Sequence, residues 1–319
     1  MKGRMNMQIL NEILEKIKKY ETIIIHGHQR PDGDCYGAQF GLKDILKTSF
    51  PNKDIYVVGE TSEYVSFIGT PDTIDDKLYE GALSIVVDTA TESRISDKRY
   101  SLGSEVIKID HHIPVDQYGD LIWVDTTFPS CAQMIAYFYK TFENELKMTE
   151  VGARAMYTGI VTDTGRFRYR GVSKLTHEIA GLLIEKGADV VEIDNKLSKE
   201  SLGVFRFKAE LLNNAIFDEG FVYGIIRAEN VEKHNISMED AAATVNLFGG
   251  IEGYNVWFVA VEYPNEIRLR IRSSGLEIDK LANLFEGGGH KMASGARLNS
   301  FDELDKFVSE MRAYIKRYQ

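Results

Sequence analysis

Five short apolar, largely β-branched runs constrain this chain more than anything else in it. Ile23-Ile24-Ile25, Ile55-Tyr56-Val57-Val58, Ser84-Ile85-Val86-Val87, Val106-Ile107-Lys108-Ile109 and Leu121-Ile122-Trp123-Val124 read as strands. Helical stretches separate them, such as Cys35 to Lys47 with Phe40, Leu42, Ile45 and Leu46 at apolar positions. Strands of this kind, alternating with helices, predict an α/β fold with a parallel sheet covered on both faces. In such sheets ligands bind at the carboxyl ends of the strands. The first run leads into His26-Gly27-His28-Gln29-Arg30-Pro31-Asp32-Gly33-Asp34. The third ends in Asp88, the fourth in Asp110-His111-His112 and the fifth in Asp125. Pro31 and Gly33 stiffen and tighten the first loop, so His28, Asp32 and Asp34 can converge on one point. Three of the five strands thus bring Asp or His to one sheet edge in a form that suits a divalent cation. Imidazole with carboxylate is donor chemistry for borderline-to-hard ions, Mn²⁺ in particular.

Helices are expected at Ile9 to Lys19, Ser130 to Phe142, Thr149 to Val161 and Ser173 to Lys186. The third of these runs into Thr162-Asp163-Thr164-Gly165, another carboxylate at a helix end. Val190 to Leu197 and Leu202 to Ala215 read as more charged helices, a connector and not a core. From about Ile216 the pattern changes to strands at Val222 to Ile226, Val256 to Val261 and Ile267 to Ser273, with a helix at Met238 to Phe248. Tyr263-Pro264-Asn265-Glu266 predicts a hairpin between the last two strands. A short helix, Ile278 to Phe285, leads into Gly287-Gly288-Gly289-His290, and a helix from about Phe301 to Tyr318 closes the chain. This organisation divides the chain at 1–187, 188–215 and 216–319.

At 319 residues the chain exceeds the usual size of a single core. No apolar stretch approaches the roughly 20 residues that span a bilayer. Met1 to Gln8 is basic but has no apolar segment of a leader behind it. Cys35 and Cys131 allow no disulfide framework and no paired-cysteine zinc site, so a reducing cytoplasm is the simplest setting. The net charge of −10 argues against long nucleic acid, which needs many Lys and Arg contacts to phosphate. A small phosphorylated ligand or a very short oligonucleotide fits better.

His28, Asp32, Asp34, Asp88, His111 and Asp163 form the inventory of a two-metal site, in which paired cations activate water and neutralise phosphoryl charge. His28-x-x-x-Asp32-x-Asp34, Asp88, Asp110-His111-His112 and Thr162-Asp163-Thr164-Gly165 resemble the four ordered motifs of the DHH phosphoesterase superfamily. Arg272-Ser273-Ser274-Gly275 and Gly287-Gly288-Gly289-His290-x-x-Ala293-Ser294-Gly295 resemble the DHHA1 domain. Together they are similar to the nanoRNase/pAp-phosphatase branch, and the likeness covers nearly the whole chain.

That resemblance implies a parallel-sheet DHH domain, a smaller α/β DHHA1 domain and an active site in the cleft between them. It implies one metal on His28, Asp32 and Asp88, and another on Asp34, Asp88, His111 and Asp163, with Asp88 as the bridge. His112 would face the phosphate, and Asp110 would orient its neighbours. Arg272, Ser273, Gly288, Gly289 and His290 would bind substrate, since guanidinium forks and backbone free of Cβ atoms suit phosphate. The implied activity is hydrolysis of very short oligonucleotides of the pApA type, and of pAp, with two Mn²⁺ ions. A RecJ-like exonuclease, a pyrophosphatase-like enzyme and a non-catalytic nucleotide sensor are the alternatives. A homodimer is compatible with this reading.

Taken singly, an acidic residue after a strand is a turn former or a helix cap. It is the ordered set that carries the metal reading. His26 reads as structural, Cys35 as a small residue at a helix start, and His177 and His234 as solvated. Arg268, Arg270 and Arg272 alternate onto one strand face, with at least one of them paired to a carboxylate. Arg166 and Arg168 could reach either the site or solvent.

Overall fold

The computed structural model describes residues 2–318. Met1, Gln319 and the side chains of residues 2–6 lie outside the described residues, as does that part of the stretch read for a leader. The chain forms two units, Met1–Ser198 and Lys199–Gln319.

In the first unit, α1 (Lys2–Lys19) buries Leu10, Ile13, Leu14 and Ile17, one face at helical spacing. β1 (Thr22–His26), α2 (Gly33–Ser49) and β2 (Asp54–Val57) follow, then β3 (Leu83–Val87), β4 (Glu105–Asp110) and β5 (Leu121–Val124). The five strands make one parallel sheet in the order β2-β1-β3-β4-β5. The three motif-bearing strands are therefore neighbours at its centre. Alternate side chains serve two cores. Ile23, Ile25, Ile85, Val87, Ile107 and Ile109 pack with α1, α2, α3 (Cys131–Thr141), α4 (Glu150–Asp163), α5 (Lys174–Glu185) and α6 (Val190–Leu197). Ile24 and Val86 face the other way, Ile24 against Tyr79 and Val86 against Tyr100 and Tyr118.

The expected helical crossovers are only partly present. Between β1 and β2 the connection is an α-helix, but the next two carry 3₁₀ turns at Asp76–Tyr79, Glu92–Arg94 and Lys98–Leu102. Gly59, Pro71, Gly81 and Gly103 break these segments before an α-helix can nucleate. One face of the sheet is thus clad in α-helices and the other in short turns.

The second unit contains α7 (Leu202–Asn213), β6 (Ile216–Asp218), β7 (Phe221–Ile226), α8 (Ala228–His234), α9 (Met238–Ala243), β8 (Val256–Tyr263) and β9 (Glu266–Ser273). α10 (Asp279–Asn283), β10 (Gly288–His290), β11 (Ala293–Leu298) and α11 (Asp302–Tyr318) complete it. Its sheet runs β10-β11-β9-β8-β7-β6, antiparallel except between β7 and β8. The β8–β9 hairpin turns at Pro264-Asn265, as its sequence predicts. The helix expected at 238–248 is α9 followed by a 3₁₀ turn at Thr244–Phe248. β6, α8, β10 and β11 were not anticipated. The last two are so rich in Gly, Ala and Ser that they read as loop. Leu304, Phe307, Val308, Met311 and Ile315 of α11 cover one sheet face, while Phe207, Leu211, Val245 and Phe248 cover the other.

The helices read as a connector are built into cores. Ile193 and Leu197 of α6 bury in the first unit, and Phe207 and Leu211 of α7 in the second. Among the described residues no helix is long and apolar enough to cross a membrane.

Candidate metal centre

Each donor stands where a regular element ends. Two of the histidines have one ring nitrogen committed to a carbonyl. His28 Nδ1 lies 2.9 Å from the Gln29 oxygen and His111 Nδ1 3.3 Å from the Phe128 oxygen. With Nδ1–H donating, each Nε2 carries its lone pair toward the carboxylates. His28 Nε2 is 3.5 Å from Asp88 Oδ2 and 3.8 Å from Asp32 Oδ1. His111 Nε2 is 3.4 Å from Asp88 Oδ1, 3.6 Å from Asp34 Oδ2 and 3.5 Å from Asp163 Oδ2. The six sequence-selected donors therefore converge, with Asp88 common to both histidines.

These spacings decide how the cluster is built. They are long for hydrogen bonds. Two donors each about 2.1 Å from one ion, at angles of 90–120°, lie roughly 3.0–3.6 Å apart, the separation of every pair here except His28–Asp32. Asp88 is 2% exposed, and its Oδ1 has no hydrogen-bond partner among the described residues. The rings of His28, His111 and His112 face the carboxylates of Asp32, Asp34, Asp88 and Asp163. Burial together with Asp88 and Asp163 drives the Asp34 carboxyl well above its ordinary range, and burial with Asp88 pushes Asp163 up to about 6. Burial alone would lower His111, but Asp88, Asp34 and Asp163 outweigh it and push the imidazole up to about 10. A buried anionic cluster of this kind requires protons or cations. The residues fit divalent metal, and three-donor groups form at Asp34–His111–Asp163, Asp88–His111–His112 and His28–Cys35–Asp88.

Local structure explains the individual positions. Asp34 lies in the first turn of α2 and receives the Cys131 and Ala132 amides at 2.6 and 2.8 Å. Those amides are buried N–H donors of the first turn of α3 with no intrahelical partner, where a carboxylate is favoured. Asp163 stands at the opposite kind of place, the carboxyl end of α4, where the helix dipole disfavours a negative charge. Asp32 also serves the ordinary purpose, capping α2 by accepting from the Asp34 and Cys35 amides. His112 Nδ1 is 2.8 Å from Asp110 Oδ1, which leaves its Nε2 free and the ring half-exposed. Asp125 takes no part; it accepts from Thr127 in its own turn.

Several residues outside the six behave differently from their sequence reading, or went unnoticed. Cys35 sits at the start of α2 as expected, but its buried Sγ lies within 4.8 Å of donors from His28 and Asp88. Arg94 lines the cavity formed by His28, Asp32, Asp88, Thr89 and His112, and makes no ion pair among the described residues. Backbone bonds hold it there: the Gln29 amide donates to the Arg94 carbonyl, and the Ser96 amide to that of Gly27. An arginine six residues beyond a strand-ending aspartate was the available signal. His26 is fully buried against Tyr79 and Tyr100, and burial pushes it down to about 4. His177 is exposed and stacks on Phe167. His234 is not solvated as read: its ring lies against Phe207 and its Nε2 is 2.8 Å from Glu210. Arg166 bonds Asp194 and Ser198, and Arg168 the Gly165 carbonyl.

In the second unit the strand register aligns His290, Ala293 and Arg272 side by side across β10, β11 and β9. Gly288, Gly295 and Arg270 align in the same way two residues along, so small residues lie between the two arginines and His290. Arg268 and Arg297 on this face share Glu266. The Ser273 hydroxyl donates to the Leu276 carbonyl within its own loop. A Cβ at Gly287 would lie 2.1 Å from the Gly295 oxygen, so strand packing already demands that glycine.

The DHH family, N-terminal domain, matches residues 22–160, and the DHHA1 domain matches residues 218–317. The bifunctional oligoribonuclease and PAP phosphatase NrnA of Bacillus subtilis is 39% identical over 310 residues, 97% of this chain and 99% of that protein. The chain belongs to the DHH family. A probable bifunctional oligoribonuclease and PAP phosphatase NrnA of Streptococcus mutans is 37% identical, covering 97% of this DHH chain and all of that protein. The crystal structure of an exopolyphosphatase-related protein from Bacteroides fragilis shares the DHH–DHHA1 fold at a TM-score of 0.85. It is 22% identical and covers 98% of this chain and 96% of that one.

Proposed function

We propose that this chain is a Mn²⁺-dependent phosphohydrolase that cleaves very short oligonucleotides and linear dinucleotides of the pApA type to mononucleotides, and dephosphorylates pAp to AMP. The single observation that carries the proposal is the meeting of His28, His111, Asp34 and Asp163 around the Asp88 carboxylate. The names of the two NrnA relatives, alike over nearly the full length, support the substrate class. A net charge of −10 supports a short substrate over a long one.

In this reading His28, Asp32 and Asp88 would hold one cation, and Asp34, Asp88, His111 and Asp163 a second. A bound pair supplies acidified water and charge neutralisation at phosphorus. His112, with Nδ1 tied to Asp110, offers its Nε2–H to a phosphoryl or leaving oxygen. The Arg94 guanidinium is free to take a second phosphoryl oxygen. Asp110 keeps the His112 ring in one orientation. Arg272 and His290, across the small Gly288–Gly289 and Ala293 surface, would bind nucleotide phosphate. Ser273 would contribute by fixing their loop. Two buried free thiols, Cys35 and Cys131, support a reducing cytoplasmic setting.

The test is a substrate-length series, from pAp and pApA upward, with defined metals. Hydrolysis of pAp and pApA with Mn²⁺, falling steeply with length, is expected. Asp88→Ala should lower kcat/KM by about 10³-fold or more. Cleavage of long single strands only, or of pyrophosphate only, would replace this reading with one of the other two enzymes. Binding without turnover would make the chain a sensor.

A further inference from the structure

Asp88, the residue on which both halves of the centre depend, has φ = +53°, a left-handed backbone that aspartate tolerates only at a cost. Such a conformation persists where its surroundings over-determine it. Four bonds fix this turn, one of them local, from the Thr89 hydroxyl to the Val87 carbonyl at 2.9 Å. The Asp88 amide donates to the Ile109 carbonyl of β4 at 3.0 Å. The next carbonyl, of Thr89, accepts from the Tyr118 hydroxyl at 2.5 Å. The one after, of Ala90, accepts from Lys108 Nζ at 3.0 Å.

Lys108 is unusual in its own right. It lies in the interior of β4 and is 1% exposed, whereas lysine is almost never fully buried unless paired. All of its donor capacity is directed inward. Nζ also bonds the Asp116 carbonyl at 3.1 Å, lies 3.7 Å from Asp110 Oδ2 and rests 4.3 Å over the Tyr118 ring. The ammonium thus joins the loop after β3, which carries Asp88, to the loop after β4, which carries His111 and His112.

We infer that Lys108 and Tyr118 are a positioning pair that holds the Asp88 turn left-handed and so aims its carboxylate between the histidines. The inference rests on the reading of Asp88 as the shared metal ligand. It also has a sign of its own. By Coulomb's law alone, removing a buried positive charge beside the centre should tighten cation binding. If Lys108 acts by holding geometry, removing it should weaken binding.

The experiment is calorimetric titration of Mn²⁺ into the metal-stripped full-length chain, with Tm measured alongside. Lys108→Met should weaken Mn²⁺ binding by about 10–100-fold, the usual effect of losing a group that orients a ligand. Tyr118→Phe, which removes a single hydroxyl, should move it in the same direction by less. Lys53→Met is the control. That lysine is also buried and bonds the Lys18 and Tyr20 carbonyls, away from the centre. It should lower Tm and leave Mn²⁺ affinity unchanged. Unchanged or tighter binding by Lys108→Met and Tyr118→Phe would overturn the inference, as would an equal loss in Lys53→Met. If Lys108→Met does not fold, Tyr118→Phe decides alone. A wild-type chain that binds no Mn²⁺ would instead remove the reading of Asp88, and the inference with it.

Discussion

At Asp163 the proposed metal role and the stability of the fold oppose each other. Its carboxylate stands at the wrong end of α4 and beside Asp88, and both burial and that neighbour raise its pKa to about 6. Without metal, the charged form destabilises the fold at neutral pH. Asp163→Asn should therefore raise the Tm of the metal-free chain by roughly 2–4 °C per kcal/mol of relieved repulsion. The same substitution should weaken Mn²⁺ binding and lower kcat/KM, and differential scanning calorimetry with and without Mn²⁺ separates the two effects. A lower metal-free Tm would show that the charge is not the burden described. At this scale the sequence was most readable where donors sit at strand ends, as Asp88 and His111 do. Lys108 and Arg94 were not readable. A lysine inside an apolar run looks like an imperfection of the strand, and an arginine in a turn looks solvated. Only the register of β3 against β4 brings Lys108 to the loop that it holds.

Between elements, α2 and α4 of the first unit pack against each other through glycine. Gly33, Gly37 and Gly41 recur every four residues along one stripe of α2, facing Thr162, Gly159 and Met156 in turn. A Cβ at Gly37 would lie 2.7 Å from the Ala155 oxygen and 2.9 Å from the Gly159 Cα, both of them backbone. One at Gly41 would lie 2.3 Å from Met156 Cγ and 2.9 Å from its Sδ, a buried but flexible side chain and not backbone. Gly37→Ala should therefore destabilise by about 1–3 kcal/mol and reduce activity, because it drives Asp163 of α4 away from Asp34 of α2. Gly41→Ala should cost less than Gly37→Ala, since a side chain and no backbone must give way and some helix propensity is gained. Chemical denaturation and kcat/KM of the two variants test this, and equal effects would refute it. The glycine spacing stands in the sequence but was not read there as a packing stripe. What it would face was not, because α4 lies more than a hundred residues downstream.

Over the whole molecule, the parallel sheet and the β8–β9 hairpin were legible because alternation and turn chemistry are local. β10 and β11 were not, because Gly288, Gly289, Ala293 and Gly295 owe their strand conformation to pairing with β9 and not to propensity. The second unit carries its own electrostatic fastening, in which Lys233 and His234 of α8 hold Glu210 of α7. They depress the Glu210 carboxyl from 4.5 to about 2. A depressed carboxylate contributes stability that is complete above its unfolded pKa of 4.5 and disappears as pH falls through about 2. Acid unfolding of Glu210→Gln, followed by the signal of the second unit, should thus be less steep between pH 4.5 and 2 than in wild type. Identical curves would refute the fastening. All six candidate donors precede residue 199, and the Arg272–His290 surface follows it. In the proposed reading, a genetic crossover near that junction would exchange what is recognised while leaving the ion-holding half untouched. New specificities can therefore arise here by recombination, without rebuilding the centre residue by residue.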